Sequence, residues 1–139
     1  MKIKKFEDLE CWQVSRELTK MIYEITKNSG VRKDFGLRDQ IQRAAVSVMS
    51  NISEGFDSSS DAEFIRFLNY AKRSCSEVQA QLYVALDQAY IIRDSFNSVY
   101  KQAENCRKLC SGLIKYLRNS RQPRVASHET PVTSRRSRV

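Results

Sequence analysis

At 139 residues, with 41% hydrophobic residues, 4 glycines and 2 prolines, the chain has room for one domain with one contiguous core and little more. Both prolines, Pro123 and Pro131, lie near the C-terminus, which leaves everything before residue 123 free of that helix breaker and favours an all-helical fold. The net charge is +8; residues 1–119 hold 19 basic and 15 acidic side chains, whereas residues 120–139 hold five arginines against Glu129. Half the excess therefore belongs to the last twenty residues. A basic balance points to phosphate-rich partners such as nucleic acid, or simply to a soluble domain with a basic tail. No apolar run approaches the ~20 residues that span a bilayer. The start, Met1-Lys2-Ile3-Lys4-Lys5, runs into charged amphipathic sequence with no secretory signal. The thiols of Cys11, Cys75, Cys106 and Cys110 are therefore expected reduced, in a cytoplasm.

Four segments repeat at the helical period. The first covers residues 8–27, with Val14, Leu18, Met21, Ile22 and Ile25 on one side, and Asn28-Ser29-Gly30 ends it. Its second face carries Trp12, Arg16, Thr19 and Tyr23 within about 60° of one another. That composition suits a subunit interface, burial of Trp12 in a wide core, or stacking on nucleobases. The second segment, residues 37–56, is built on Leu37, Ile41, Ala44, Ala45, Val48 and Ile52. Gly55 and Asp57-Ser58-Ser59-Ser60 close it.

Ser60-Asp61-Ala62-Glu63 has the form of a capping box and starts the third helix. It runs to about Ile92 through Phe64, Phe67, Leu68, Ala71, Cys75, Val78, Leu82, Ala85 and Ala89. That is a rod of roughly 45–50 Å. Asp94-Ser95 starts the fourth, with Phe96, Val99, Cys106, Leu109, Cys110, Leu113, Ile114 and Leu117. Short connections imply an all-α, up-down-up-down antiparallel four-helix bundle over residues 1–119. Residues 120–139 lose the period and are polar, basic and poor in large apolar side chains, which predicts a disordered tail.

The second and third helices each carry a narrow polar stripe beside the core stripe. Gln40, Arg43, Ser47, Asn51 and Glu54 fall within about 80° on one, and Glu63, Tyr70, Ser74, Glu77 and Gln81 within about 60° on the other. Folding the third helix back on the second at residues 57–60 pairs positions whose numbers add to about 117. Ser47 then faces Tyr70, and Arg43 comes near Ser74 and Glu77. This predicts a structural polar network with an Arg43–Glu77 ion pair.

No catalytic constellation is present. A ferritin-like metal site needs Glu-x-x-His motifs, and the one histidine, His128, lies in the tail. There is no phosphate-binding glycine loop, nucleophile elbow or dinucleotide fingerprint. Cys106 and Cys110 are spaced to offer two ligands on one helix face, but that face also bears Val99, Leu113 and Leu117, where cysteine packs as a small hydrophobe. The reading is a protein without enzymatic activity, cofactor or metal. Basic candidates for nucleic acid are Arg32, Lys33 and Arg38 near the second helix, Lys72 and Arg73 on the third, and Arg107, Lys108, Lys115 and Arg118 on the fourth.

The block from Leu37 through Gln40, Arg43, Ala44, Ala45, Ser47, Asn51, Ile52 and Glu54 to Gly55 resembles the signature of a four-helix-bundle family. Its members are encoded within intervening sequences of large-subunit (23S) ribosomal RNA genes and elsewhere in bacterial genomes. A second block, from Glu63 through Phe64, Phe67, Leu68, Ala71 and Ser74 to Glu77, continues the likeness, which covers roughly residues 6–118. The resemblance implies a cytoplasmic bundle that assembles into a ring, typically a homopentamer, with no established enzymatic activity. Related bundles are accessory variability proteins of diversity-generating retroelements, in which a basic barrel binds reverse transcriptase and RNA. Two departures stand out: Asp57-Ser58 where the family often has an arginine, and Arg73 where it usually has glycine. Together these readings predict a ring-forming accessory protein that binds nucleic acid, RNA foremost, with a reverse transcriptase as a further partner. The rival is a protein-directed adaptor or scaffold with no nucleic-acid binding.

Overall fold

The computed structural model describes residues 3–120. The segment expected to be disordered lies outside the described residues except for Ser120, which closes the last helix. A 3-10 turn, Phe6–Asp8, leads into α1, Glu10–Asn28. A second, Gly30–Lys33, leads into α2, Phe35–Phe56; α3 is Asp61–Asp87 and α4 is Arg93–Ser120. Each helix packs on its neighbours in sequence and α4 closes on α1, giving the expected up-down-up-down bundle.

Local chemistry sets the boundaries. The Asp8 carboxylate accepts the backbone N–H groups of Lys4 at 2.9 Å and Lys5 at 3.2 Å. Asp34 Oδ1 accepts from Leu37 N at 3.1 Å and so caps α2. Ser60 Oγ accepts from Glu63 N at 3.1 Å at the head of α3. Only that half of the capping box forms, because the Glu63 carboxylate turns instead to Arg66, at 2.5 Å.

The core is two stacked apolar clusters. Leu18, Ile22, Ile41, Leu82 and Phe96 fill one, while Ile52, Phe64, Leu68, Cys106 and Leu117 fill the other. Burying one such large side chain contributes about 1.5–3 kcal/mol. On α1 the buried line is Cys11, Ser15, Leu18, Ile22 and Thr26, whereas Val14, Met21 and Ile25 pack at its edge. The two hydroxyls tolerate burial because each has a carbonyl partner on its own helix: Trp12 O at 2.6 Å for Ser15 and Tyr23 O at 3.0 Å for Thr26.

The third helix ends five residues short of the expected Ile92. Ala89 takes φ 60°, and Tyr90 N donates to Ala85 O at 2.9 Å, a left-handed helix stop without glycine. The turn is held from outside. Tyr90 lies against Gly30, where an added Cβ would come within 2.4 Å of the ring, and its hydroxyl donates to Asp34 Oδ2 at 3.0 Å. At the opposite end Gly55 allows α2 to approach α3, since a Cβ there would meet Phe67 Cβ at 2.8 Å and Phe64 Cδ1 at 2.9 Å.

Two substitutions test these points in urea melts. Gly55→Ala should destabilise the bundle by about 1–3 kcal/mol through overpacking. Ala89→Gly should stabilise it by about 1 kcal/mol, by removing the left-handed strain of an L side chain.

Candidate nucleic-acid interface

Antiparallel packing brings the two polar stripes together, but one helical turn out of the expected register. Ser74 Oγ donates to Ser47 Oγ at 3.0 Å, and Gln81 Nε2 to Gln40 Oε1 at 3.4 Å. Both pairs add to 121 rather than 117. The lean of every Cα–Cβ bond toward its helix N-terminus contributes to the offset, and the backbone carries the rest, since a Cβ at Gly55 would meet Phe67 Cβ, a pair that adds to 122. In an antiparallel pair the two leans act in the same sense, so facing side chains come from residues further along both helices. Asn51 Nδ2 completes the seam by donating to Ser47 O at 2.8 Å and Ser47 Oγ at 3.0 Å.

The expected Arg43–Glu77 ion pair does not form; both side chains are exposed and neither is ion-paired among the described residues. Glu54 is exposed as well. Glu63 and Tyr70 leave the seam and bond to Arg66, whose Nη1 donates to Tyr70 Oη at 2.9 Å. The network is thus a short hydroxyl–amide seam, with its charged members turned outward.

All four cysteines converge in one core cluster, from α1, α3 and α4. Cys106 Sγ donates across the bundle to Cys11 O at 3.7 Å. The neighbouring Cys110 thiol and then burial push the Cys11 thiol up. Among the described residues no group of three or more His, Cys, Asp or Glu side chains is arranged to hold a metal ion.

The second face of α1 is split. Trp12 packs edge-on to Phe6, with ring centroids 5.1 Å apart, against the cysteine-containing cluster. Thr19 donates to Ser15 O at 2.9 Å and to Ala45 O at 3.3 Å on α2. Arg16 and Tyr23 remain exposed. Tyr23 borders a shallow hollow whose charges are mixed, Glu17, Lys20, Glu24 and Lys27.

The basic candidates fall into three places. Arg32, Lys33 and Arg38 cluster at the α1–α2 connection, where Arg38 is engaged by Asp39 and by the ring of Phe35. Lys108, Lys115 and Arg118 are exposed along α4. Lys72, Arg73 and Arg107 meet in a groove of about 570 Å³ on the outer side of α3, which Arg66, Asn69, Tyr70 and Ser76 complete. Four cations and no acid line it. Arg66 was not among the sequence candidates, although its i, i+4, i+7 spacing with Tyr70 and Arg73 puts all three on one helix face.

Two arginines in the groove are fixed by acids outside its lining. Glu63 holds Arg66. Glu104 takes Arg107 through two bonds, Nε at 3.1 Å and Nη2 at 2.6 Å, and accepts from the buried Gln79 at 3.0 Å. The Arg107 guanidinium, then Gln79, hold the Glu104 carboxyl down to about 2. Arg73 and Lys72 form no ion pair among the described residues. No helix of the described chain is long and apolar enough to cross a membrane.

Comparison with known proteins agrees with the fold. Residues 7–112 match the family described as 23S rRNA-intervening sequence protein. A crystal structure of a protein with unknown function from the S23 ribosomal protein family of Bacteroides thetaiotaomicron superposes with a TM-score of 0.69. The two sequences are 29% identical, over 76% of this chain and 98% of that one. No curated protein matches.

The Glu104 bonds carry a pH signature. Its carboxyl is depressed on folding, so its stabilisation is fully present above about pH 4.5 and is lost as pH falls through about 2. Glu104→Gln should cost about 1 kcal/mol at pH 7, a figure discounted for the partial exposure of the pair. In urea melts that difference from the wild type should shrink steadily below pH 4.5.

Proposed function

The chain belongs to the 23S rRNA-intervening sequence protein family, and from that premise we propose that it is a non-enzymatic accessory protein that binds RNA through the α3–α4 groove as a ring of identical subunits. The groove carries this reading: four cations converge there, two of them held in place by acids that do not line it. Phosphate contacts need positive side chains on one surface, and orienting them in advance lowers the ordering cost of binding. A ring would repeat the groove around its circumference, so that a modest charge per subunit adds up to a strong field. The pentameric count and a reverse transcriptase as protein partner rest on likeness to related bundles alone.

One observation favours the adaptor reading. Phe35 and Ile92 are 64% and 69% exposed at the same end of the bundle, where large apolar side chains serve protein contacts better than phosphates.

Filter binding of RNA against salt concentration separates the two. RNA binding through Arg66, Lys72, Arg73 and Arg107 should show a log–log salt slope of about −2 to −3 per engaged groove. The Lys72→Glu, Arg73→Glu double variant should weaken it by about tenfold or more. An absence of affinity at low salt, or a flat salt dependence, overturns the nucleic-acid reading. Light scattering at two protein concentrations tests the ring.

A further inference from the structure

Resting on the nucleic-acid reading, we propose that Arg66, Tyr70 and Arg73 form a base-stacking platform, and that the groove takes a single-stranded segment of RNA in preference to a duplex. The three side chains lie on successive turns of α3. The Arg66 and Arg73 guanidinium carbons stand 5.5 and 5.4 Å from the Tyr70 ring centroid. Phe67 meets the same ring edge-on at 6.0 Å, and Arg66 also lies 5.2 Å from the Phe67 centroid. This is a contiguous array of planar groups on the outer face of a helix.

The array is braced at one end and free at the other. Arg66 donates to Tyr70 Oη at 2.9 Å and to Glu63 Oε1 at 2.5 Å, which fixes its plane. Arg73 rests on the tyrosine with no acid to hold it among the described ion pairs. A guanidinium plane stacks on a base as an aromatic ring does, and a lysine in its place cannot. Lys72 and Arg107 line the same groove as holders for the flanking phosphates, and Asn69 and Ser76 offer neutral hydrogen-bonding groups for a ribose or a base edge.

A duplex would use only the charges of this surface, because its bases are already stacked on one another. An unpaired base uses the planes as well, and that gain of single strand over duplex does not depend on charge.

The test is fluorescence anisotropy with the full chain, using a labelled single-stranded oligoadenylate and an RNA hairpin stem of equal phosphate count. The single strand should bind about tenfold tighter. Tyr70→Ala and Arg73→Lys should each weaken it about five- to tenfold while leaving the stem unchanged, and Tyr70→Phe should retain most of the affinity. Arg73→Lys keeps both the charge and an exposed position, so its result does not depend on folding. Equal binding of strand and stem, or losses by both variants that are the same on each, overturns the platform while leaving a charge-only groove. Failure of the wild-type chain to bind either RNA at low salt overturns the parent reading and the platform with it.

Discussion

The contact between α2 and α3 governs how the rest of the surface is presented. Ser74 donates to Ser47 across a 3.0 Å gap, and Gly55 lets the two helices close where a Cβ would strike Phe67 and Phe64. Short hydroxyl side chains permit that approach, and their hydrogen bonds make any other rotation of α3 costly, because a buried hydroxyl would lose its partner. Once Ser74 faces α2, the outer face of α3 is settled. Arg66 and Arg73 turn to solvent with Tyr70 half-buried between them, and Lys72 and Ser76 line the same groove, where Arg107 joins them from α4.

The parts of this fold that depend on residues near in sequence were legible from the sequence itself. Helical periodicity, the Asn28-Ser29-Gly30 stop and the Ser60 cap gave four helices with boundaries within a few residues of those observed, apart from the end of α3. That end depends on Tyr90 docking against Gly30 and Asp34, a contact more than fifty residues away in sequence, while the local pattern of Ala85, Ala89 and Ile92 argued for more helix. The burial of Ser15 and Thr26 leaves no mark in the sequence, because their carbonyl partners are invisible to a hydropathy pattern. The one-turn shift in register combines the lean of side chains with how closely the two backbones seat at Gly55, and a count of facing positions leaves out both. The groove was half visible: Lys72, Arg73 and Arg107 were candidates, but only the packing of α4 on α3 separates them from the other basic residues.

The acids next to the groove do more than subtract charge. An arginine on an exposed helix samples many rotamers, and a ligand that captures it must bear the cost of ordering it. Glu63 and Glu104 meet that cost within the folded chain, each holding an arginine three residues away. Gln79 then fixes Glu104 from the buried side. The arrangement leaves two oriented cations, and two others, Lys72 and Arg73, with no ion pair among the described residues.

Scaffold and site are therefore carried by adjacent residues facing different ways. Ser74 is 6% exposed and belongs to the seam, while Arg73, about 100° away on the same turn, is exposed and belongs to the groove. Position 73 is exposed and lines the groove, outside the hydroxyl seam between α2 and α3. The family resemblance leads one to expect glycine there, and glycine would leave Tyr70 with Arg66 alone. Arginine at that exposed position favours the helix over glycine by roughly 1 kcal/mol and, of the three guanidinium groups lining the groove, is the one without an ion pair among the described residues. The departure thus falls on the lining of the groove and outside the buried seam between α2 and α3.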